Sequence, residues 1–148
     1  MIKYVINDID PKEYIYLRER ANFHSFSLEQ AERALKNSLR VIVAKDEDKC
    51  VGMGRIVGDG AVICYLQDII VDPDYHGNKI GETVIRDLLN YIYEITVPET
   101  TMMIGLMSVH GTEGFYNKMG FIQRPSGRFG NGFSRYIRKD KDGTIHEG

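Results

Sequence analysis

This chain is short of net charge, of cysteine and of long apolar runs, and each shortage removes a class of function. Nineteen basic residues against twenty-one acidic ones leave a formal charge of −2 over 148 residues. That is no electrostatic footprint for nucleic acid or for an anionic membrane surface. No apolar stretch reaches the roughly 20 residues that cross a bilayer. No basic-then-apolar segment opens the chain either, so a secretory leader is not expected. The two cysteines, Cys50 and Cys64, form no C-x-x-C and have no His at metal-ligand spacing. A disulfide framework and a metal site are thereby disfavoured, and the thiols read as reduced residues of a cytoplasmic protein, with Cys64 facing the core. There is no internal repeat and no linker. What remains, 43% apolar and 27% charged, is the composition of a soluble globular protein. Its length fits a single domain over residues 1–148.

Taken in order, Ile2 to Ile6 reads as a strand, and Pro11 fits the first turn of a helix carrying Tyr14, Leu17 and Arg18. Ser27-Leu28-Glu29-Gln30 is a capping-box signature that opens a second helix, with Leu28, Ala31 and Leu35 on one face. Arg40–Lys45 and Val51–Val57 make a hairpin, and Gly58-Asp59-Gly60 turns into a long strand, Ala61–Val71. Arg55 and Asp59, flanking that turn, are expected to pair. After Gly81, an amphipathic helix carries Val84, Leu88 and Ile92 in one row and stops at Pro98. Thr101–Met107 is apolar on both faces, as a covered parallel strand would be. A short helix, Thr112–Met119, ends at Gly120; two last strands are expected at Phe121-Ile122 and Phe133–Ile137, followed from Arg138 by a frayed polar tail, about 139–148.

The informative stretch is Tyr65–Glu82, Y-L-Q-D-I-I-V-D-P-D-Y-H-G-N-K-I-G-E. A strand, a turn at Asp72-Pro73-Asp74, a loop with Gly77 and a helix N-terminus follow one another without interruption. The first turn of a helix has N–H groups with no internal acceptor and carries the positive end of the macrodipole. An anion such as a diphosphate suits that place.

Val71-Asp72-Pro73 followed by His76-Gly77-Asn78-Lys79-Ile80-Gly81 resembles the cofactor-binding segment of the GCN5-related N-acetyltransferase family. That pattern runs V-x-P, then Arg or Gln, two free positions, Gly, one free position, and Gly or Ala. His76 stands in place of Arg or Gln, and Lys79 in place of the first glycine. Phe115-Tyr116-Asn117-Lys118-Met119-Gly120-Phe121 is similar to a second family signature, F-Y-x-x-x-G-F. The resemblance is densest from Val51 to Phe121. It implies an α/β fold, a mixed and mostly antiparallel central sheet with a parallel βαβ cofactor unit flanked by helices. It also implies acetyl-coenzyme A as cosubstrate, with no metal.

The same resemblance assigns roles to residues. The main chain of Ile69, Ile70 and Val71 would pair with the pantetheine arm and polarise the acetyl carbonyl. Gly77, Asn78, Lys79, Ile80, Gly81 and Glu82 would form the diphosphate loop. A lysine at Lys79 costs nothing at helical φ but about 1 kcal/mol at positive φ. Tyr116 would protonate the leaving thiolate; from packing alone it is simply the buried face of a short helix. Asp68 is the candidate catalytic carboxylate, a base or substrate contact together with Gln67, and strand alternation points it opposite Gln67 and Ile69. Read without the family, an Asp there caps a bulge or pairs with an Arg. His110 is a weaker base candidate.

The expected activity is acetyl transfer to a primary amine of a small molecule by direct attack in a ternary complex, because neither cysteine lies on a catalytic segment. A protein N-terminal or lysine acetyltransferase and a non-catalytic acyl-coenzyme A-binding module are the alternatives. No nucleic-acid or membrane partner is expected, and a homodimer is left open.

Overall fold

The computed structural model describes residues 1–147. The chain divides into two compact units, Met1–Met107 and a second beginning at Ser108. The first unit holds a five-stranded sheet in chain order: β1 (Ile2–Ile6), β2 (Arg40–Asp46), β3 (Lys49–Gly58), β4 (Ile63–Val71) and β5 (Met103–Gly105). The first four strands pair antiparallel, and β4 pairs parallel with β5.

Helices α1 (Pro11–Arg20) and α2 (Leu28–Lys36) start where their caps dictate. Asp10 accepts from the Lys12 N–H while its own N–H donates to Glu13, and the Ser27 hydroxyl accepts from the Gln30 N–H. Against the sheet, Tyr14 and Leu17 of α1 and Ala31 of α2 close a core with Val41, Val43, Met53 and Ile70. Helix α3 (Ile80–Ile95) supplies another buried row, Ile80, Val84, Leu88 and Ile92, and joins β4 to β5 as the crossover of the βαβ unit.

Two glycines on β3 make the approach of α3 possible. A Cβ on Gly52 would lie 2.8 Å from Ile80 Cγ2, and one on Gly54 2.5 Å from Val84 Cγ1 and 2.9 Å from Ile69 Cδ1. Gly54→Ala is therefore expected to overpack this contact and cost about 1–3 kcal/mol. Urea unfolding should show a lower midpoint at an unchanged slope.

The second unit holds α4 (Glu113–Lys118) and a hairpin of β6 (Ile137–Lys139) and β7 (Ile145–Glu147). The expected strands at Phe121-Ile122 and Phe133–Ile137 do not form, except that Ile137 begins β6. Instead part of the tail expected to fray is the hairpin. Its turn is built by Asp140–Gly143, with Gly143 at φ 92° and the Asp142 carboxylate accepting from the Thr144 N–H. Turn chemistry here outweighed the polarity of the segment.

Candidate active site

The parallel pairing of β4 and β5 covers Ile63–Tyr65 against Met103–Gly105 and goes no further. Beyond Tyr65, no strand of this unit continues that side of β4. At its far end, the Asp72 N–H donates to the Val51 carbonyl on β3 at 2.8 Å. Backbone groups alternate along a strand, so those of Val71 and Ile69 point the other way, toward the open side. The segment assigned to the acyl-bearing arm thus has main-chain donors and acceptors to offer.

The V-D-P turn after β4 is anchored twice. Asp72, fully buried, takes Arg20 Nη2 at 2.8 Å and Nε at 3.3 Å, and accepts the Asp74 N–H at 3.0 Å. Next along, a 3-10 turn (Pro73–Tyr75) sends the Tyr75 hydroxyl to the Asp46 carboxylate at 2.6 Å. That hydrogen bond, with burial, pushes the Tyr75 phenol up to about 12.

The Arg20 guanidinium holds the Asp72 carboxyl below the usual carboxylate range. A depressed pKa contributes stability above the unfolded-state value and loses it as pH falls through the folded one. Asp72→Asn should accordingly melt below wild type at neutral pH, with the gap closing as pH drops into the acid range. Paired thermal melts across pH check this, and a gap independent of pH would remove the ion pair from the account.

Gly77 (φ 89°) and Lys79 (φ 58°, ψ 25°) then adopt left-handed backbone. Lys79 is the cap residue of α3 and uses no side-chain hydrogen bond there. It takes the strained alternative that its pattern glycine would have avoided, at a cost of about 1 kcal/mol. Asn78 ties the loop down through Nδ2 to the Tyr75 carbonyl at 3.0 Å. Ile80 is buried, Gly81 sits in the first turn, and Glu82 is turned to Arg86 at 2.8 Å. The N–H groups of Ile80, Gly81 and Glu82 head a 16-residue helix. Two left-handed residues, Gly77 and Lys79, thus stand directly before the N–H groups that head the helix.

Asp68 lies opposite Ile69, as alternation predicts, but not opposite Gln67. Between the pairs Met53–Ile70 and Arg55–Gln67, β4 carries one more residue than β3, and Asp68 stands at φ 55° in that bulge. Its side chain turns to the side of Arg55, the partner of Gln67, rather than opposite Gln67. It is completely buried and engaged by Tyr14, Arg18 and Arg55. The expected Arg55–Asp59 pair does not form. Arg55 bonds Asp68 at 2.9 Å and the Ser38 hydroxyl at 3.2 Å, while the Asp59 carboxylate accepts the N–H groups of Ala61, Val62 and Ile63.

In the second unit, α4 ends in a Schellman motif: the Phe121 N–H donates to the Tyr116 carbonyl, the Gly120 N–H to that of Asn117, and Gly120 takes φ 93°. The Tyr116 ring meets Phe115 and Phe121 edge-on at 5.2 and 6.1 Å, and burial pushes its phenol up. His110 is exposed. Among the described residues, no group of His, Cys, Asp and Glu is arranged to hold a metal ion, and no helix is long and apolar enough to cross a membrane.

Comparison with known proteins bears on the family and the fold. An uncharacterized N-acetyltransferase, ycf52, of Pyropia yezoensis is 29% identical over 131 residues, covering 76% of this chain and 73% of that one. Histone acetyltransferase TAP1 of Glycine max is 24% identical, covering 81% of this chain and 55% of that one. A probable acetyltransferase of unknown function from meticillin-resistant Staphylococcus aureus superposes with a TM-score of 0.80 at 28% identity, over 92% of this chain and all of that one. The ribosomal-protein-S18-alanine N-acetyltransferase of Escherichia coli shares the fold, with a TM-score of 0.67 at 17% identity over 98% and 88% of the two chains. The family model described as Acetyltransferase (GNAT) domain matches residues 5–136, and this chain belongs to that family of acetyltransferases.

Proposed function

We propose that the protein transfers an acetyl group from acetyl-coenzyme A to a primary amine of a small molecule, by direct attack with both substrates bound. One observation carries this reading. Beyond Tyr65 no strand of the first unit pairs on one side of β4, and the strand runs straight into a left-handed loop at the head of a long helix, which supports adjacent seats for an extended acyl arm and a diphosphate.

Acetyl-coenzyme A brings the activated thioester. The chain's part is to hold it and to manage one proton. The loop from Gly77 to Glu82 takes the diphosphate on backbone N–H groups, and the main chain of Ile69–Val71 orients the arm. The half-buried Tyr116 hydroxyl, protonated at neutral pH as phenols with a pKa of about 10 are, gives its proton to the departing thiolate sulfur. A covalent acyl-cysteine route is disfavoured. Burial, with Glu13 at 3.1 Å, pushes the Cys50 thiol up to about 12, and burial raises Cys64 as well. Neither supplies a thiolate at neutral pH.

Calorimetric titration with coenzyme A tests the first half of the reading, and the melting temperature should rise with ligand concentration by mass action. No binding at millimolar coenzyme A would exclude it. Thiol release from acetyl-coenzyme A with a panel of amines tests the second half. The panel includes an arylalkylamine, a polyamine, an amino sugar phosphate and a peptide with a free N-terminus and a lysine. Activity confined to the peptide would transfer the function to protein acetylation.

A further inference from the structure

The β4 bulge is held by a buried charge cluster that the proposed chemistry does not use. Asp68 Oδ2 accepts from the Tyr14 hydroxyl and, at 2.9 Å, from Arg55 Nε; Oδ1 accepts from Arg18 Nη1. Each arginine is itself fixed. Arg18 Nε donates to the His24 carbonyl at 3.1 Å, and its guanidinium lies 3.9 Å from the centre of the Phe26 ring. Arg55 Nη1 donates to Ser38. The cluster thus joins α1, the loop after it, the residues following α2, β3 and the bulge.

Both carboxylate oxygens are taken, and the Asp68 side chain has no exposed surface. Three donors already occupy the carboxylate and no surface of it is open to an incoming amine, so the geometry is wrong for a base. Burying such a cluster is no cheap way to gain stability, since apolar side chains of the same volume often do as well. What apolar side chains cannot do is hold an aspartate at φ 55° by three directed bonds. The bulge falls between the last residue of β4 paired to β5, Tyr65, and the residues assigned to the acyl arm. One residue more or less there changes which backbone groups of Ile69–Val71 face the open side.

We propose that Asp68 is a positioning residue. Held by Tyr14, Arg18 and Arg55, it fixes the left-handed bulge that aims the main chain of Ile69–Val71 at the acyl-bearing arm. The proposal rests on the acetyl-coenzyme A reading above. It removes Asp68 from the role of general base.

The test uses Asp68→Asn, Tyr14→Phe and the double variant, on the full chain. In the ligand-free protein, amide exchange should quicken at Met53, Arg55, Gln67 and Ile70, which flank the bulge, and stay unchanged at Val41–Val43 on β2. In thiol release with the best amine of the panel, kcat should fall roughly 10- to 100-fold in each single variant, as misplacement of a reacting group does. The KM for acetyl-coenzyme A should stay near wild type and the pH profile should keep its shape. Because the cluster acts as a unit, the double variant should lose little more than either single one.

Wild-type exchange around the bulge in Asp68→Asn overturns the pinning role. Fast exchange with unchanged kcat overturns the functional one. Loss of the acid limb of the pH profile in Asp68→Asn, with Tyr14→Phe fully active, restores the base. Should Asp68→Asn fail to fold, Tyr14→Phe, which keeps both ion pairs, decides alone. Failure of wild type to bind coenzyme A would defeat the acetyl-coenzyme A reading instead, and the exchange arm would still report on the bulge.

Discussion

Tyr116→Phe is expected to lower turnover about 10²- to 10⁴-fold, the usual loss when a general acid is removed. Coenzyme A affinity and melting temperature should stay close to wild type. The separation is clean because the structure gives the ring and the hydroxyl different work. The ring packs edge-on against Phe115 and Phe121, which flank the turn that ends α4, and phenylalanine keeps both contacts. The backbone of the Schellman motif does not involve the side chain at all. A phenol is in its O–H form at neutral pH even at its ordinary pKa of about 10, so it enters as a proton donor. Steady-state thiol release, alongside a coenzyme A titration and a thermal melt of the same preparation, separates the two roles. A stable variant with wild-type turnover would make Tyr116 core, and the thiolate would take its proton from water or substrate.

The parts of this molecule readable from sequence are those written in local terms. The caps of α1 and α2 need only three or four residues, and the end of β4, the turn and the head of α3 are consecutive in the chain. The βαβ unit follows from their order. Asp68 shows where such reading stops. Alternation assumes a period of two, and a bulge breaks it at a residue whose stabilising partners, Tyr14 and Arg18, are 54 and 50 positions away. The residue reading without the family, an Asp that caps a bulge or pairs with an Arg, is what the structure has, but it could not name the arginines. Arg55 was ambiguous for the same reason. Asp59 is closer in sequence, but its carboxylate is taken by three turn N–H groups, so the guanidinium goes to the bulge. Lys79 is the reverse case. The pattern marked its position as special, and the left-handed backbone explains why glycine is the easier residue there.

Gly81→Glu should weaken coenzyme A binding by at least about 100-fold, close to 3 kcal/mol, while the protein melts no lower than wild type. The opposite signs come from one position. Gly81 is the second residue of α3, and glycine in a helix costs up to about 1 kcal/mol relative to better formers. An acidic side chain in the first turn also gains roughly 0.3–1 kcal/mol from the helix dipole. Folding should therefore tolerate or favour glutamate. Binding should not, because the carboxylate would occupy the ground proposed for the diphosphate and repel it. Glu82 next door carries a carboxylate too, but it is turned to Arg86 at 2.8 Å. Raising the salt should return part of the affinity if charge dominates, and little if the side chain simply obstructs. Gly81→Ala is the control. It adds a methyl group without charge, matches the family pattern at that position, and should bind nearly as wild type. Calorimetric titration at low and high salt, with melts of each variant, supplies all of these comparisons. Tight binding by the glutamate variant at low salt would move the diphosphate away from the head of α3.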